Sequence, residues 1–555
     1  MTPTEPPSAC RRRALLQALG ASGFLAAWAA LAGGSGAQTQ TGADTPASGI
    51  RLAHDPFTCG VASGAPSRDG MVLWTRLDPR ALPPGADGQA LVDVTLQWEV
   101  AQDEHFRQEV QRGSGVAQQA LGYSVHVEPQ GLASNRWYFY RFRLGDAVSR
   151  VGRTRTLPEA NAALQSLRLA YASCQKWEDG YFAAWRHMAA EGVDGVLFLG
   201  DYLYEYPALK SRVRVPPGGW MLTLDEYRAR YALYKSDPDL QAMHAAAPWW
   251  VIWDDHEVQN DYAGLQAGDS GPTSPEVADF AQRRAAAYQA YFENMPLRRS
   301  ALIEGVAGLG RGAEMRIYSQ ARFGTLASLL MLDTRQYKDP QPCGAPGKTG
   351  SAMFTPAFCK TWPAEGRSLL GRAQEQWVDQ TLASPSVQEA RWTLLGQTTL
   401  LGQRDFGTGR DLRLWNDGWD GYPAARQRLL GSLQRHRVPN PVVLGGDVHE
   451  HWVGHVKADY NAPDSASVAV EFCGAGITSH AGNSKRSAEQ LARNPHFIYA
   501  EAEHRGYGVL DLTPQRLSVR LRGLDDATRK DSAIQTLASF EVEAGRAQVR
   551  RTDPA

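Results

Sequence analysis

Three short runs of the 555-residue chain concentrate side chains that can hold metal ions or move protons. Gly445-Gly446-Asp447-Val448-His449-Glu450-His451 sets an Asp and a His two positions apart. In an extended segment such residues point the same way, so both reach one cation or two adjacent ones, and the glycines let backbone approach a bound group. Trp253-Asp254-Asp255-His256-Glu257-Val258-Gln259-Asn260-Asp261 crowds acid, imidazole and amide groups together. A solvated charged loop has a similar composition, but the apolar residues 249–253 leading into this run bury its approach. Gly200-Asp201-Tyr202-Leu203-Tyr204-Glu205-Tyr206 puts Asp201 directly after an apolar stretch, where a lone Asp also serves as a helix cap or turn residue. Cys174 follows another such stretch, where a buried apolar cysteine is equally common.

What unites these runs is the type of element before each. Residues 167–172, 195–200, 249–253, 329–332 and 442–446 are short apolar runs, the pattern of buried strands. They lead into Ser173-Cys174, Asp201, Asp254-Asp255-His256, Asp333 and Asp447-Val448-His449. Helical stretches such as 181–191 and 277–293 lie between. In α/β folds sites gather at the carboxyl ends of strands, so five such ends form a constellation although each alone is weak.

Taken in order, Ala172-Ser173-Cys174-Gln175, Gly200-Asp201-Tyr202 with Tyr204-Glu205, Trp253-Asp254-Asp255-His256-Glu257-Val258 with Asn260, and Gly446-Asp447-Val448-His449 resemble the motifs of PhoD-type alkaline phosphatases. These belong to the calcineurin-like metallophosphoesterase superfamily. The likeness extends over nearly the whole mature chain, including Pro56-Phe57-Thr58, Gly60-Val61-Ala62-Ser63-Gly64, Val72-Leu73-Trp74-Thr75-Arg76, Leu332-Asp333-Thr334-Arg335 and Asn494-Pro495-His496. The resemblance implies an α/β catalytic domain at residues 166–525, built as a two-sheet β-sandwich flanked by helices. It also implies a centre of Fe(3+) and Ca(2+). The implied iron ligands are Cys174, Asp201, Tyr204 and His449. Asp201 and Asp447 would bridge to or bind calcium, and either Asn260 or Asp255 would complete it. The donor chemistry agrees: thiolate and phenolate favour trivalent iron, whereas carboxylate and amide oxygens suit calcium. The implied reaction is hydrolysis of a phosphate ester by water, with no covalent enzyme intermediate. His256, beside Asp255, is the candidate to stabilise the phosphoryl group or protonate the leaving oxygen. Arg335 is a candidate phosphate contact, with a structural salt bridge as the equal alternative. Two other functions remain open: a phospholipase D-like phosphodiesterase on the same site, and a non-catalytic phosphate- or metal-binding protein.

The rest of the sequence bounds the setting. With 43% hydrophobic and 21% charged residues the chain is globular, and its length calls for more than one domain. A formal net charge of −1 supplies no global field for nucleic acid or an anionic membrane. Arg11-Arg12-Arg13, an uncharged stretch over 14–37 and the closing Ser35-Gly36-Ala37 fit a Tat-type signal over 1–37. A periplasmic or extracellular protein with no stable membrane anchor after signal removal is therefore expected, with the Tat export machinery as a partner. Residues 38–54 form a linker. Period-two alternation over 92–100 and 138–144, with further strands at 71–77, 125–128 and 148–157, predicts a small immunoglobulin- or fibronectin-like β-sandwich over 55–160. A hairpin is expected at 506–512 and 517–521, and strands within 526–555. In an exported protein with six cysteines, Cys343 and Cys359, sixteen apart in a Pro/Gly-rich loop, are expected to pair; Cys10 leaves with the signal and Cys174 is taken by the metal. Gly305, Gly308, Gly310 and Gly312 lack the strand–helix context of a phosphate loop, and Lys348 stands where a sulfatase-type Cys343 motif needs Arg.

Overall fold

In the computed structural model, the apolar runs that precede the chemically loaded residues are parallel strands, each short and buried throughout except at Arg168. The structure describes residues 50–553 apart from 85–92, 208–212, 270, 272–273, 276, 345–348, 463 and 481–483. The signal sequence and most of the linker lie outside the described residues.

Two sheets dominate. The larger has ten strands, in the order Val549–Arg551, Ile534–Glu543, Arg516–Leu524, Gly506–Leu512, Leu167–Ala172, Gly195–Leu199, Trp249–Ile252, Val61–Gly64, Val72–Arg76 and Ser124–Val127. Its centre is parallel, with Val196 opposite both Ala170 and Trp249. The second has seven strands: Ser319–Phe323, Ala327–Met331, Trp392–Gly396, Pro441–Gly445, Ser467–Cys473, His451–Lys457 and Phe497–Glu501. Alternation along its strands sorts side chains to two faces. Leu329, Leu394, Val442 and Leu444 share one apolar core with Leu169, Leu197, Ile252 and Val509 of the larger sheet. Leu330, Leu395 and Val443 turn outward to Val378, Leu382, Leu429 and Leu433 on helices Arg372–Ala383 and Pro423–Arg435. The expected helices over 181–191 and 277–293 form as Ala183–Ala190 and Phe280–Asn294. The architecture is thus the expected α/β two-sheet sandwich flanked by helices.

The N-terminal β-rich segment supplies a five-stranded sheet of Asp93–Ala101, Glu109–Gln118, Trp137–Leu144, Ala147–Val148 and Gly152–Arg155. Val94, Leu96, Tyr140 and Phe142 from this sheet pack on Val61, Leu73 and Val125. Those last three belong to strands that extend the ten-stranded sheet, so this sandwich borrows one of its layers from the sheet that carries the site. At the other edge, Ile534–Glu543 pairs with Arg516–Leu524 and widens the same sheet. A disulfide joins Cys343 to Cys359, with Cα atoms 5.7 Å apart. Among the described residues, no helix is long and apolar enough to cross a membrane.

Candidate metal centre

Each loaded residue sits one to four positions beyond the carboxyl end of its strand, and the backbone there is unusual. Cys174, Asp201, Asp447 and His449 all have positive φ, between 54° and 64°. For side chains other than glycine this region is strained, a cost of order 1–3 kcal/mol each, and such residues cluster at functional sites. The turn after Leu199 is possible because Gly200, at φ 98°, passes Asp254 so closely that a Cβ would lie 2.5 Å from the Asp254 Cβ. This left-handed turn brings the second and third motifs together.

The ligand atoms of Cys174, Asp201 and His449 lie within 4.8 Å of one another. The Tyr204 hydroxyl joins them, 3.1 Å from Asp201 Oδ2 and 3.2 Å from His449 Nε2, with Ser479 Oγ at 2.6 Å. His449 Nδ1 is 2.8 Å from the carbonyl oxygen of His480. That bond makes Nδ1 the protonated nitrogen and leaves the Nε2 lone pair facing the cluster. A second group, Asp201, Asp255 and His256, meets the same distance limit, so Asp201 belongs to both. Its Oδ1 and that of Asp255 are buried without a hydrogen-bond partner. Buried carboxylate oxygens left unpaired are costly, and a cation resolves the cost. Thiol, phenol, imidazole and shared carboxylate on one side, and two carboxylates beside the His256 imidazole on the other, fit a mixed metal centre.

The electrostatics point the same way. Burial pushes the Asp201 carboxyl well up, and Asp255, Asp254 and Glu257 add to this against the opposing pull of His256. Burial and neighbouring carboxylates, Asp254 first, push Asp447 up to about 8. Burial, with Asp201 and Asp447 nearby, raises the Cys174 thiol well above its usual range. Without a cation these ligands hold protons; with one they release them.

Asp447 lies beside the two groups rather than within either, its Oδ2 accepting a bond from Thr399 Oγ1 at 2.7 Å. Of the two alternatives in the third motif, Asp255 has its carboxylate in the Asp201 group, whereas Asn260 donates its Nδ2 to the carbonyl of Asp269 at 2.8 Å. His256 is held by Glu205, whose Oε2 lies 2.8 Å from Nδ1, while Oε1 accepts the backbone N–H of Asn260 at 2.8 Å. Burial alone would lower the His256 pKa; Asp255, Glu205 and Asp201 overcome it and raise it well above its usual value. Glu205 stood in the second motif without a role, and no spacing rule tied it to His256.

Arg335 lies buried among carboxylates. It is 2% exposed and clamped by Asp254 at 2.5 Å, Asp417 at 2.8 Å and Asp255 at 3.4 Å. Three carboxylates surround its guanidinium, with Nε hydrogen-bonded to Asp254, and these are the surroundings of a structural ion pair. Thr399 and Asp417 were invisible to motif reasoning because both lie in stretches with no distinctive pattern.

The site can be set beside known proteins. The family model described as "PhoD-like phosphatase" matches residues 169–521, and that described as "PhoD-like phosphatase, N-terminal domain" matches residues 43–158. The chain belongs to the PhoD-like phosphatase family. It is 40% identical over 504 residues to alkaline phosphatase D of Bacillus subtilis (strain 168), an alignment covering 89% of this chain and 82% of that protein. A solved structure titled "Structure of PhoD" superposes with a TM-score of 0.80 at 39% identity, covering 91% of this chain and 93% of that one. This PhoD-like chain is accordingly a phosphatase, a hydrolase, and its β-rich N-terminal segment is part of the family's architecture.

Proposed function

We propose that the chain is an exported phosphatase that hydrolyses phosphate monoesters and diesters at a centre of ferric iron and calcium. The observation that carries this reading is the sharing of Asp201 between the Cys174–Asp201–His449 and Asp201–Asp255–His256 groups. A carboxylate common to a sulfur- and nitrogen-bearing set and an oxygen-rich set is what a bridging ligand between unlike cations requires. Cys174, Asp201, Tyr204 and His449 would hold the iron; Asp201, Asp447 and Asp255 or Asn260 would hold calcium. Bound there, the cations supply charge neutralisation for the phosphoryl oxygens and a low-pKa water as nucleophile.

The chain's own residues do the rest. Glu205 keeps Nδ1 of His256 protonated and leaves Nε2, 3.5 Å from the Tyr206 hydroxyl, as the nitrogen that serves the leaving group. From there His256 donates a proton to the departing ester oxygen. Arg335 screens Asp254 and Asp255 from each other's charge and so fixes their carboxylates beside the site. The Cys174 side chain, 1% exposed, is enclosed as a ligand and has no path to a covalent role. Export by the Tat pathway rests on Arg12-Arg13 and the segment after them.

Metal analysis of purified protein beside a panel of phosphate mono- and diesters tests the reading. Iron, calcium and turnover of both ester classes are expected. Turnover of diesters alone would favour the phosphodiesterase, and tight phosphate binding without turnover would favour a binding protein.

A further inference from the structure

The reaction needs a leaving group to depart past His256, and the structure has a distinct wall there. His256 meets Tyr206 edge-on, with ring centroids 5.2 Å apart at 86°, and the Tyr206 hydroxyl lies 3.5 Å from His256 Nε2. Tyr206 in turn meets Trp220 at 5.9 Å and 79°. Both rings are half-buried, leaving part of each open to solvent. Lys176 Nζ stands 4.9 Å from the Tyr206 ring centroid, within cation–π range. It forms long ion pairs with Glu178 and Asp179, at 3.9 and 3.8 Å.

This wall is built rather than incidental. Arg230, 3% exposed on helix Leu224–Lys235, donates Nη1 to the carbonyls of Tyr204 and Tyr206 at 2.5 and 3.2 Å. Its Nη2 reaches the carbonyl of Gly219 at 3.2 Å, and the Met221 N–H bonds the Glu205 carbonyl at 2.9 Å. One buried guanidinium and one backbone bond therefore fix the segment bearing Trp220 against the segment bearing Tyr206. Neither ring is needed to hold a metal, and neither is sealed in the core.

We propose that Tyr206 and Trp220, with Lys176, form a leaving-group subsite that selects phosphate esters whose leaving group carries an aromatic ring. The proposal rests on the function given above, in which His256 faces the departing oxygen. An aryl ring on that oxygen meets the open parts of both Tyr206 and Trp220, whose ring centroids are 5.9 Å apart. Offset or edge-on ring contacts add binding that a small polyol cannot provide. The Tyr206 hydroxyl offers a second hydrogen-bond donor beside Nε2, and Lys176 adds positive charge where the oxygen gains negative charge.

The test compares phenyl phosphate with glycerol 2-phosphate on metal-loaded wild type, Trp220→Leu and Trp220→Phe. Leu keeps bulk and removes the ring; Phe keeps a ring. Trp220→Leu is expected to lose roughly tenfold in kcat/KM on phenyl phosphate, the size of one aromatic contact, while glycerol 2-phosphate stays within about twofold. Trp220→Phe should retain most of the phenyl phosphate activity. Equal losses on both esters, or no loss on either, would overturn the subsite while leaving the phosphatase reading intact. A metal-loaded wild type that hydrolyses neither ester would overturn that reading and the subsite together.

Discussion

Replacing His256 by Ala separates a proton donor from a metal ligand. His256 shares a tight group with Asp201 and Asp255, yet its Nδ1 is bonded to Glu205. If Nε2 donates to the leaving oxygen, His256→Ala lowers kcat by about 10²–10⁴-fold and leaves iron and calcium in place. The substitution also strips a partner from Glu205, a carboxylate with no exposed surface. Removing one partner of a buried ion pair costs on the order of 3–5 kcal/mol, so the variant should unfold at lower denaturant even though Glu205 keeps the Asn260 N–H. Glu205→Gln removes the charge but keeps an acceptor oxygen for Nδ1, and should retain metal with a smaller fall in kcat. Metal content, kcat and unfolding midpoint measured on the same preparations decide the matter. If His256→Ala loses its metals as fully as Asp447→Ala does, His256 is a ligand and the division of roles is wrong.

Arg335→Ala should destabilise the protein by about 3–5 kcal/mol, because it strands Asp254, Asp255 and Asp417 together; a higher KM at unchanged stability would instead make Arg335 a phosphate contact. In the metal-free protein Asp447 is raised to about 8 and Asp261 to about 7, both chiefly by burial and next by neighbouring acids, Asp254 and Asp417 respectively. In the folded metal-free state these two carboxyls therefore hold more protons than in the unfolded one from about pH 4 upward, so their contribution to stability falls as pH rises through that window to about 8. Metal loading at pH 6–7 should release protons, detectable with an indicator dye in weak buffer, and loading without release would contradict this. Purified protein should be coloured by thiolate and phenolate bound to ferric iron, and Cys174→Ser should shift or bleach the visible band; an unchanged band would remove Cys174 from the iron.

The parts of the fold nearest the site were the most legible. Buried parallel strands appear as continuous apolar runs, and each ended within a few residues of a residue that could do chemistry, as at Leu199 and Asp201 or Gly445 and Asp447. The strand Glu109–Gln118 escaped notice because its polar and glycine residues lack period-two apolarity; it is largely exposed and held by pairing with Asp93–Ala101. That Val61–Gly64 and Val72–Arg76 extend the large sheet is a long-range pairing that local pattern does not encode. Within the site, motif order assembled Cys174, Asp201, Tyr204 and His449. The contacts that orient them come from far along the chain: Ser479 to Tyr204, Thr399 to Asp447, and Asp417 to Arg335. Such partners depend on tertiary packing alone, and Arg335 shows the consequence, since its three carboxylates are as many as 82 residues away.

Asp201 carries the central claim, because it joins the Cys174–Asp201–His449 group to the Asp201–Asp255–His256 group. The most direct measurement is iron and calcium content per chain, with turnover of a phosphate monoester, for wild type and Asp201→Asn side by side. Wild type should hold both metals and turn over, and Asp201→Asn should lose both metals and activity together. A metal-free wild type with full activity, or an Asp201→Asn protein that keeps its metals and its turnover, would contradict the account.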